Sequence, residues 1–139
     1  MSLQSPRVRG AILCDDVRTE LNGKHILIGI YGPEIGVQEI PGKAKFRLAV
    51  LVDVPRSGDF DLKIRVLDTS NRTAIEANIL MKTEKSGQNI LIPGIEVGLD
   101  IQKSGSVIVQ YFDGAWMSVG VWTLEKIDPA TIALGPHEM

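Results

Sequence analysis

The segments SVIVQYF, DG and AWMSVGVWTLE, which are residues 106–112, 113–114 and 115–125, decide the fold of this chain. Apolar residues recur at about every second position on both sides of Asp113-Gly114. An Asp-Gly dipeptide between two alternating runs is the strongest short-range signal for a β-hairpin. Asn22-Gly23 repeats the signal near the N-terminus, so the sequence predicts a hairpin toward each end of the chain.

Period-two runs also fill the chain between the two hairpins. The cleanest is Phe60 to Asp68, in which Phe60, Leu62 and Ile64 alternate with polar residues. About eight strands without a helix long enough for a parallel crossover predict an all-β antiparallel β-sandwich in jelly-roll or other Greek-key order, or a flattened barrel. The strands are expected at residues 8–19, 24–31, 45–54, 60–68, 72–82, 88–101 (interrupted at Pro93-Gly94), 106–112 and 115–125.

Composition limits the class of protein. With 139 residues, 44% of them hydrophobic, the chain is long enough for one core, and we expect a single domain over residues 7–127. A net charge of −2 gives no electrostatic drive toward nucleic acid or anionic lipid. No 18-residue apolar run and no secretion signal are found, so we expect a cytoplasmic protein. Met1-Ser2-Leu3 is typical of an expression leader, and such a leader can replace a native targeting signal.

The C-terminal tail, residues 128–139, shows a different pattern. Asp128 is a helix N-cap residue, Pro129 suits the first helical position, and Gly135 follows the last one. These signals predict one short helix over residues 130–134.

Residue patterns typical of catalysis are scarce. The sequence has no phosphate-binding glycine loop, no nucleophile elbow and no histidine pair at metal-ligand spacing, so we expect neither an enzyme nor a cofactor. A two-residue turn at Asn22-Gly23 would place Glu20 opposite His25, with Asp16 on the same face. Such a group is a weak candidate for a metal site, and a solvated cross-strand pair explains it more simply.

Five basic residues are a second candidate cluster. They would meet if the first and third predicted strands were neighbours, but Phe46 is the one aromatic residue among them and points to the apolar side of its strand. Binding of single-stranded nucleic acid needs aromatic stacking among the charges. We therefore expect no nucleic-acid partner. The five are Arg7, Arg9, Lys43, Lys45 and Arg47.

The final hairpin is predicted to be apolar on both faces. A two-residue turn would place on one face Val107, Val109, Tyr111, Trp116, Trp122 and Leu124. The other face would carry Ile108, Phe112, Met117, Val119 and Val121. A strand of a sandwich normally has one solvated face, so a second cover is needed. It is either the tail, through Ile127, Ile132 and Leu134, or a symmetric homo-oligomer or protein partner that contacts Tyr111, Trp116 and Trp122.

One stretch of the chain resembles a known family. Ala11-Ile12-Leu13-Cys14-Asp15-Asp16-Val17-Arg18, Asn22-Gly23-Lys24 and Leu27-Ile28-Gly29-Ile30-Tyr31 are similar to a small family of bacterial all-β proteins with no assigned function. The similarity extends to about Asp128 and includes Gly120-Val121-Trp122. This resemblance implies a bacterial or phage source and a one-domain β-sandwich, and it implies no catalytic residues.

Three functions follow from these observations. The first is a non-catalytic binding or assembly module that contacts itself or a partner through a sheet face. The second is recognition of a small, sugar-like ligand by Tyr111, Trp116 and Trp122 as stacking surfaces. The third is a metal-assisted hydrolase built on Asp16, Glu20 and His25.

Overall fold

A computed structural model describes residues 5–127, and over this range the chain is all-β, as the sequence predicts. The predicted helix at residues 130–134 lies outside the described residues. The strands within the described range are β1 (Arg7–Thr19), β2 (His25–Ile30), β3 (Glu34–Val37), β4 (Gly42–Val54), β5 (Gly58–Leu67), β6 (Thr73–Thr83), β7 (Gln88–Ile101), β8 (Gly105–Phe112) and β9 (Trp116–Lys126).

The strands form two sheets that share one hydrophobic core. One sheet has the order β2-β1-β4-β7 and the other the order β3-β9-β8-β5-β6. Buried apolar side chains of both sheets form a single cluster between them, the arrangement of a β-sandwich. A jelly roll has eight strands, whereas the described residues form sheets of four and five.

The prediction of an antiparallel sandwich is wrong at β3, a strand that is not among the predicted ones. This strand has four residues and pairs with β9 in parallel. Its buried Ile35 follows the period-two pattern, but the segment is too short for periodicity to distinguish it from a loop. Residues 34–37 form a strand because they pair with β9, almost ninety positions away in the sequence.

The interior strands follow their alternation. In β5, Phe60, Leu62 and Ile64 are buried, while Asp61 and Lys63 are exposed. Apolar residues on both sides of residues 45–54 indicate a strand that is central or buried on both faces, and β4 lies between β1 and β7.

The segment Pro93-Gly94 is a bulge within a continuous edge strand. Gly94 has a φ of 72°, and the pairing of β4 with β7 shifts between Leu48 and Val50. Proline has no N–H to donate and is confined in sheets to edges and bulges, so the predicted interruption takes the form of a bulge in β7, which lies at the edge of its sheet.

The first hairpin closes on a longer loop than predicted. The N–H of Gly23, at a φ of 86°, donates to the Glu20 carbonyl (2.9 Å), and the N–H of Glu20 donates to the Lys24 carbonyl (2.8 Å). This three-residue loop with glycine in the left-handed region replaces the two-residue turn. The register therefore moves by one residue, and Thr19, not Glu20, lies opposite His25.

The final hairpin is also shifted near its turn. Phe112 pairs with Trp116, and a register shift follows between Val109 and Gln110. Trp122 consequently shares the core face with Val107, as predicted. Near the turn the predicted faces are wrong. Trp116 lies on the outer face opposite Phe112, Met117 lies opposite Tyr111, and Val119 packs against the core.

Space between the sheets depends on a glycine in β9. A Cβ atom at Gly120 would lie 2.5 Å from the ring of Trp122 and 3.4 Å from the Cβ of Ala11 in the opposite sheet. Trp122 is 6% exposed, so its ring is packed among core side chains. We therefore expect Gly120→Ala to lower the free energy of unfolding by about 1–3 kcal/mol, measured by urea denaturation.

Gly98 in β7 is the matched control. A Cβ atom there meets no atom within 4 Å, so Gly98→Ala should change stability by less than about 0.5 kcal/mol. Equal losses in the two variants would contradict the packing explanation.

Candidate functional site

The outer face of β8 and β9 carries an aromatic pair. The rings of Phe112 and Trp116 meet edge to face, with centroids 5.4 Å apart and planes at 73°. The guanidinium of Arg65 lies 4.1 Å from the Trp116 centroid, and the ammonium of Lys63 lies 5.9 Å from that of Phe112. Cations at these distances are attracted to the ring faces.

Hydrogen bonds connect the three strands of this face. Arg65 donates through Nε to Oε1 of Gln110 (2.8 Å), and Gln110 donates through Nε2 to Oγ of Ser118 (3.1 Å). Beyond this polar row, Ile108 pairs with Val121 on the same face. We call this surface the β8–β9 face; its members are Lys63, Arg65, Ile108, Gln110, Phe112, Trp116, Ser118 and Val121.

Of the three aromatic residues proposed from the sequence as contact or ligand residues, one belongs to this face. Tyr111 and Trp122 are each 6% exposed in the core, so the prediction that they are surface stacking residues is wrong. Trp116 is half-buried on the outer face, because the hairpin closes on Phe112 and Trp116. Sequence reasoning missed Arg65, since only the pairing of β5 with β8 brings it to the aromatic pair.

The three weak metal candidates do not form a cluster. Nδ1 of His25 shares a hydrogen bond with the Thr19 hydroxyl (2.9 Å). The Asp16 carboxylate accepts a hydrogen bond from the N–H of Val17 (2.9 Å), and its Oδ2 lies 3.8 Å from Nε of Arg18. The observed register places Asp16 and His25 on opposite faces of the hairpin, because their partners Ile28 and Thr19 are on opposite faces. Among residues 5–127, no group of three or more metal-ligating side chains is arranged to hold a metal ion.

The five basic residues do not form one cluster, because Arg7 and Arg9 lie at the other end of β4 from Lys43, Lys45 and Arg47. The strands β1 and β4 are neighbours, but they are antiparallel, so Arg7 lies opposite Asp53 at the far end from the lysines. Lys43 lies opposite Asp100, and Arg9 forms an ion pair with Asp53 (3.3 Å). Nearby carboxylates thus reduce the positive potential on this surface.

A polar pair formed by Tyr31 and Asp15 lies at the base of the first hairpin. The Tyr31 hydroxyl donates a hydrogen bond to the Asp15 carboxylate, and the Tyr31 ring packs edge to face on Phe46 at 5.2 Å. The carboxylate lies against the backbone of Gly29, which has a φ of 69° and no side chain to block the approach. The hydrogen bond to Asp15 and partial burial raise the pKa of Tyr31 to about 12.

Cys14 is buried beside this pair. Its thiol donates weakly to the carbonyl oxygens of Asp16 (3.5 Å) and Arg47 (3.6 Å), and its side chain is fully buried. Burial raises the pKa of the thiol, as does the negative charge of Asp15. A buried, protonated thiol is a poor nucleophile, so the geometry favours a packing role for this cysteine.

Comparison with known proteins identifies a family whose function is unknown. Residues 9–112, about three quarters of the chain, match the family of unknown function DUF6941. The chain belongs to this family. No curated protein matches the sequence. Within residues 5–127, no helix is long and apolar enough to cross a membrane.

The Tyr31–Asp15 hydrogen bond gives a prediction about pH. The pKa of Tyr31 is raised above the ordinary value of about 10, so the bond stabilises the fold fully below that pH and is lost as pH rises through about 12. The near-ultraviolet phenolate absorbance of the wild type minus that of Tyr31→Phe should therefore titrate near 12. A difference spectrum with a midpoint near 10 would contradict the assignment.

Proposed function

We propose that this protein is a non-catalytic binding or assembly module whose contact surface is the β8–β9 face. The observation that carries the proposal is that Phe112 and Val121 are 46% and 53% exposed on one sheet face, beside Trp116 and Arg65. Tryptophan, phenylalanine and arginine are enriched in protein contact surfaces, and Trp and Arg dominate their energetic centres.

A protein partner fits this surface better than a small ligand. The β8–β9 face is one side of a five-stranded sheet. Small molecules bind in clefts or cavities rather than on the side of a sheet. Arg65 covers one side of the Trp116 ring, which reduces the area free for a sugar to stack. We expect the partner to present apolar side chains to Phe112 and Val121 and a carboxylate to Arg65 or Lys63.

The hypothesis of a metal-assisted hydrolase has less support, because Asp16 and His25 lie on opposite faces of the hairpin.

A cytoplasmic location stays a prediction. It agrees with the buried free thiol of Cys14, since reducing compartments keep thiols free. Cell fractionation tests it.

The contact surface is tested by two substitutions on the β8–β9 face. A protein that is recovered with the full chain at a defined stoichiometry is purified, and the complex is reconstituted from the two pure components. The affinity of the full chain for this partner is then measured by calorimetry. We expect Phe112→Ser and Val121→Lys each to weaken the complex at least about tenfold, because each removes an exposed apolar contact. Leu80→Lys, at an 81% exposed position on β6, is the control and should leave the affinity unchanged.

Two results would count against this proposal. One is a reconstituted complex whose affinity neither substitution changes. The other is a sugar that raises the melting temperature of the wild type but not of Phe112→Ser, because a ligand that binds only the native state stabilises it by mass action. The second result would favour the small-ligand alternative.

A further inference from the structure

The first hairpin projects from its sheet as a two-stranded arm. β1 pairs with β4 only as far as Cys14, and from there to Thr19 its pairing in the described structure is with β2 alone. No residue of the arm, Asp15 to Ile30, is buried. A two-stranded hairpin is marginally stable in water, and a third strand with a hydrophobic face is normally needed.

The outer edge of β2 is open within the described part of the chain, since β2 is the terminal strand of its sheet. The segment HILIGI of this strand contains no Asp, Glu, Lys, Arg or Pro. Exposed edges normally carry such residues, which oppose pairing with another chain.

The other edge strands do carry these protections. β7 has Pro93 with its bulge and the exposed carboxylates of Glu96 and Asp100. β6 has exposed Glu76 and Lys82, and β3 has only four residues. β2 has Gly29 at a φ of 69°, but its pairing with β1 continues across this residue without a register shift. The contrast in charge and proline content therefore favours β2 as the edge for strand addition.

A row of isoleucines follows this edge. Ile26, Ile28 and Ile30 share one face, opposite Arg18, Asp16 and Cys14 of β1, and are 43%, 38% and 60% exposed. β-Branched side chains at every second position are suited to cross-strand packing.

This row is complementary to itself. In an antiparallel pair of two β2 strands centred on Ile28, each Ile28 meets its equivalent and each Ile26 meets Ile30 of the other copy. Because the strand has no carboxylate, lysine or arginine, two identical copies bring no like charges together. A two-fold axis generates this pairing, since such an axis places the same patch on both subunits.

We propose that the occupant of this edge is a second copy of the chain. Two β2 strands pair antiparallel about Ile28 and join the two four-stranded sheets into one eight-stranded sheet across the dimer. The proposal goes beyond the binding function above, because it uses the opposite sheet and leaves the β8–β9 face of each copy free.

The mass of the full chain in solution tests the dimer. We expect sedimentation velocity to show a dimer for the wild type, and Ile28→Lys to raise the dissociation constant at least about tenfold, because two ammonium groups then meet on the axis. Leu80→Lys adds the same charge at an exposed position of the other sheet and should leave the dimer intact.

A cysteine at the axis tests the register. Opposite Cα atoms in an antiparallel pair are about 4.5–5.5 Å apart, within disulfide range, so Ile28→Cys should form a disulfide-linked dimer on oxidation. Ile26→Cys should not, since two copies of residue 26 are offset by four residues, or about 13 Å.

Three results would overturn the proposal. They are a wild-type chain that is monomeric at high protein concentration, a dimer that Ile28→Lys leaves intact, and a dimer that Val121→Lys dissociates while Ile28→Lys does not. The last of these would move self-association to the β8–β9 face and would agree with the proposed function while contradicting the β2 contact.

Discussion

The burial of Trp122 between the two sheets is the contact on which the rest of the structure depends. Its ring is 6% exposed and occupies the space left by the missing side chain of Gly120 and the small side chain of Ala11. Ala11 belongs to one sheet and Gly120 to the other, so the ring lies where the two sheets approach each other closely. A buried aromatic ring of this size contributes more hydrophobic burial than any aliphatic core residue.

The two ends of β9 have different neighbours. Toward its C-terminal end it pairs with β3, and the N–H of Ile127 donates to the carbonyl of Val37 (2.9 Å). Ile127 therefore lies beside β3, at the opposite end of β9 from Trp116. Of the tail residues that were expected to cover the final hairpin, Ile132 and Leu134 lie outside the described residues. We therefore propose that a partner covers Phe112 and Trp116.

The two proposed contacts rely on different physical interactions. The β2 edge offers backbone hydrogen bonds together with a row of isoleucines, and both are satisfied by another extended strand. The β8–β9 face has its backbone already paired and offers side chains only, among them Phe112, Trp116 and Arg65. Because the two surfaces lie on different sheets, occupation of one leaves the other accessible.

The sequence by itself determined eight of the nine strands within residues 5–127, because alternation is a local property. Phe60, Leu62 and Ile64 are buried as their spacing requires, and Pro93-Gly94 marks a bulge at an edge. It also placed both hairpins at their glycine-containing turns. The family match agrees with the resemblance read from the first hairpin, and the family too has no assigned function.

Only the tertiary structure decided which face each side chain occupies near the turns and bulges. The inclusion of Leu21 in the first hairpin loop moved His25 away from Glu20, and closure of the final hairpin on Phe112 moved Trp116 to the outer face. The four-residue β3 exists as a strand only through its pairing with β9. The physical reason is common to these cases: side chains alternate with a period of two, so a shift of one residue reverses every face, and loop length and long-range pairing set that shift.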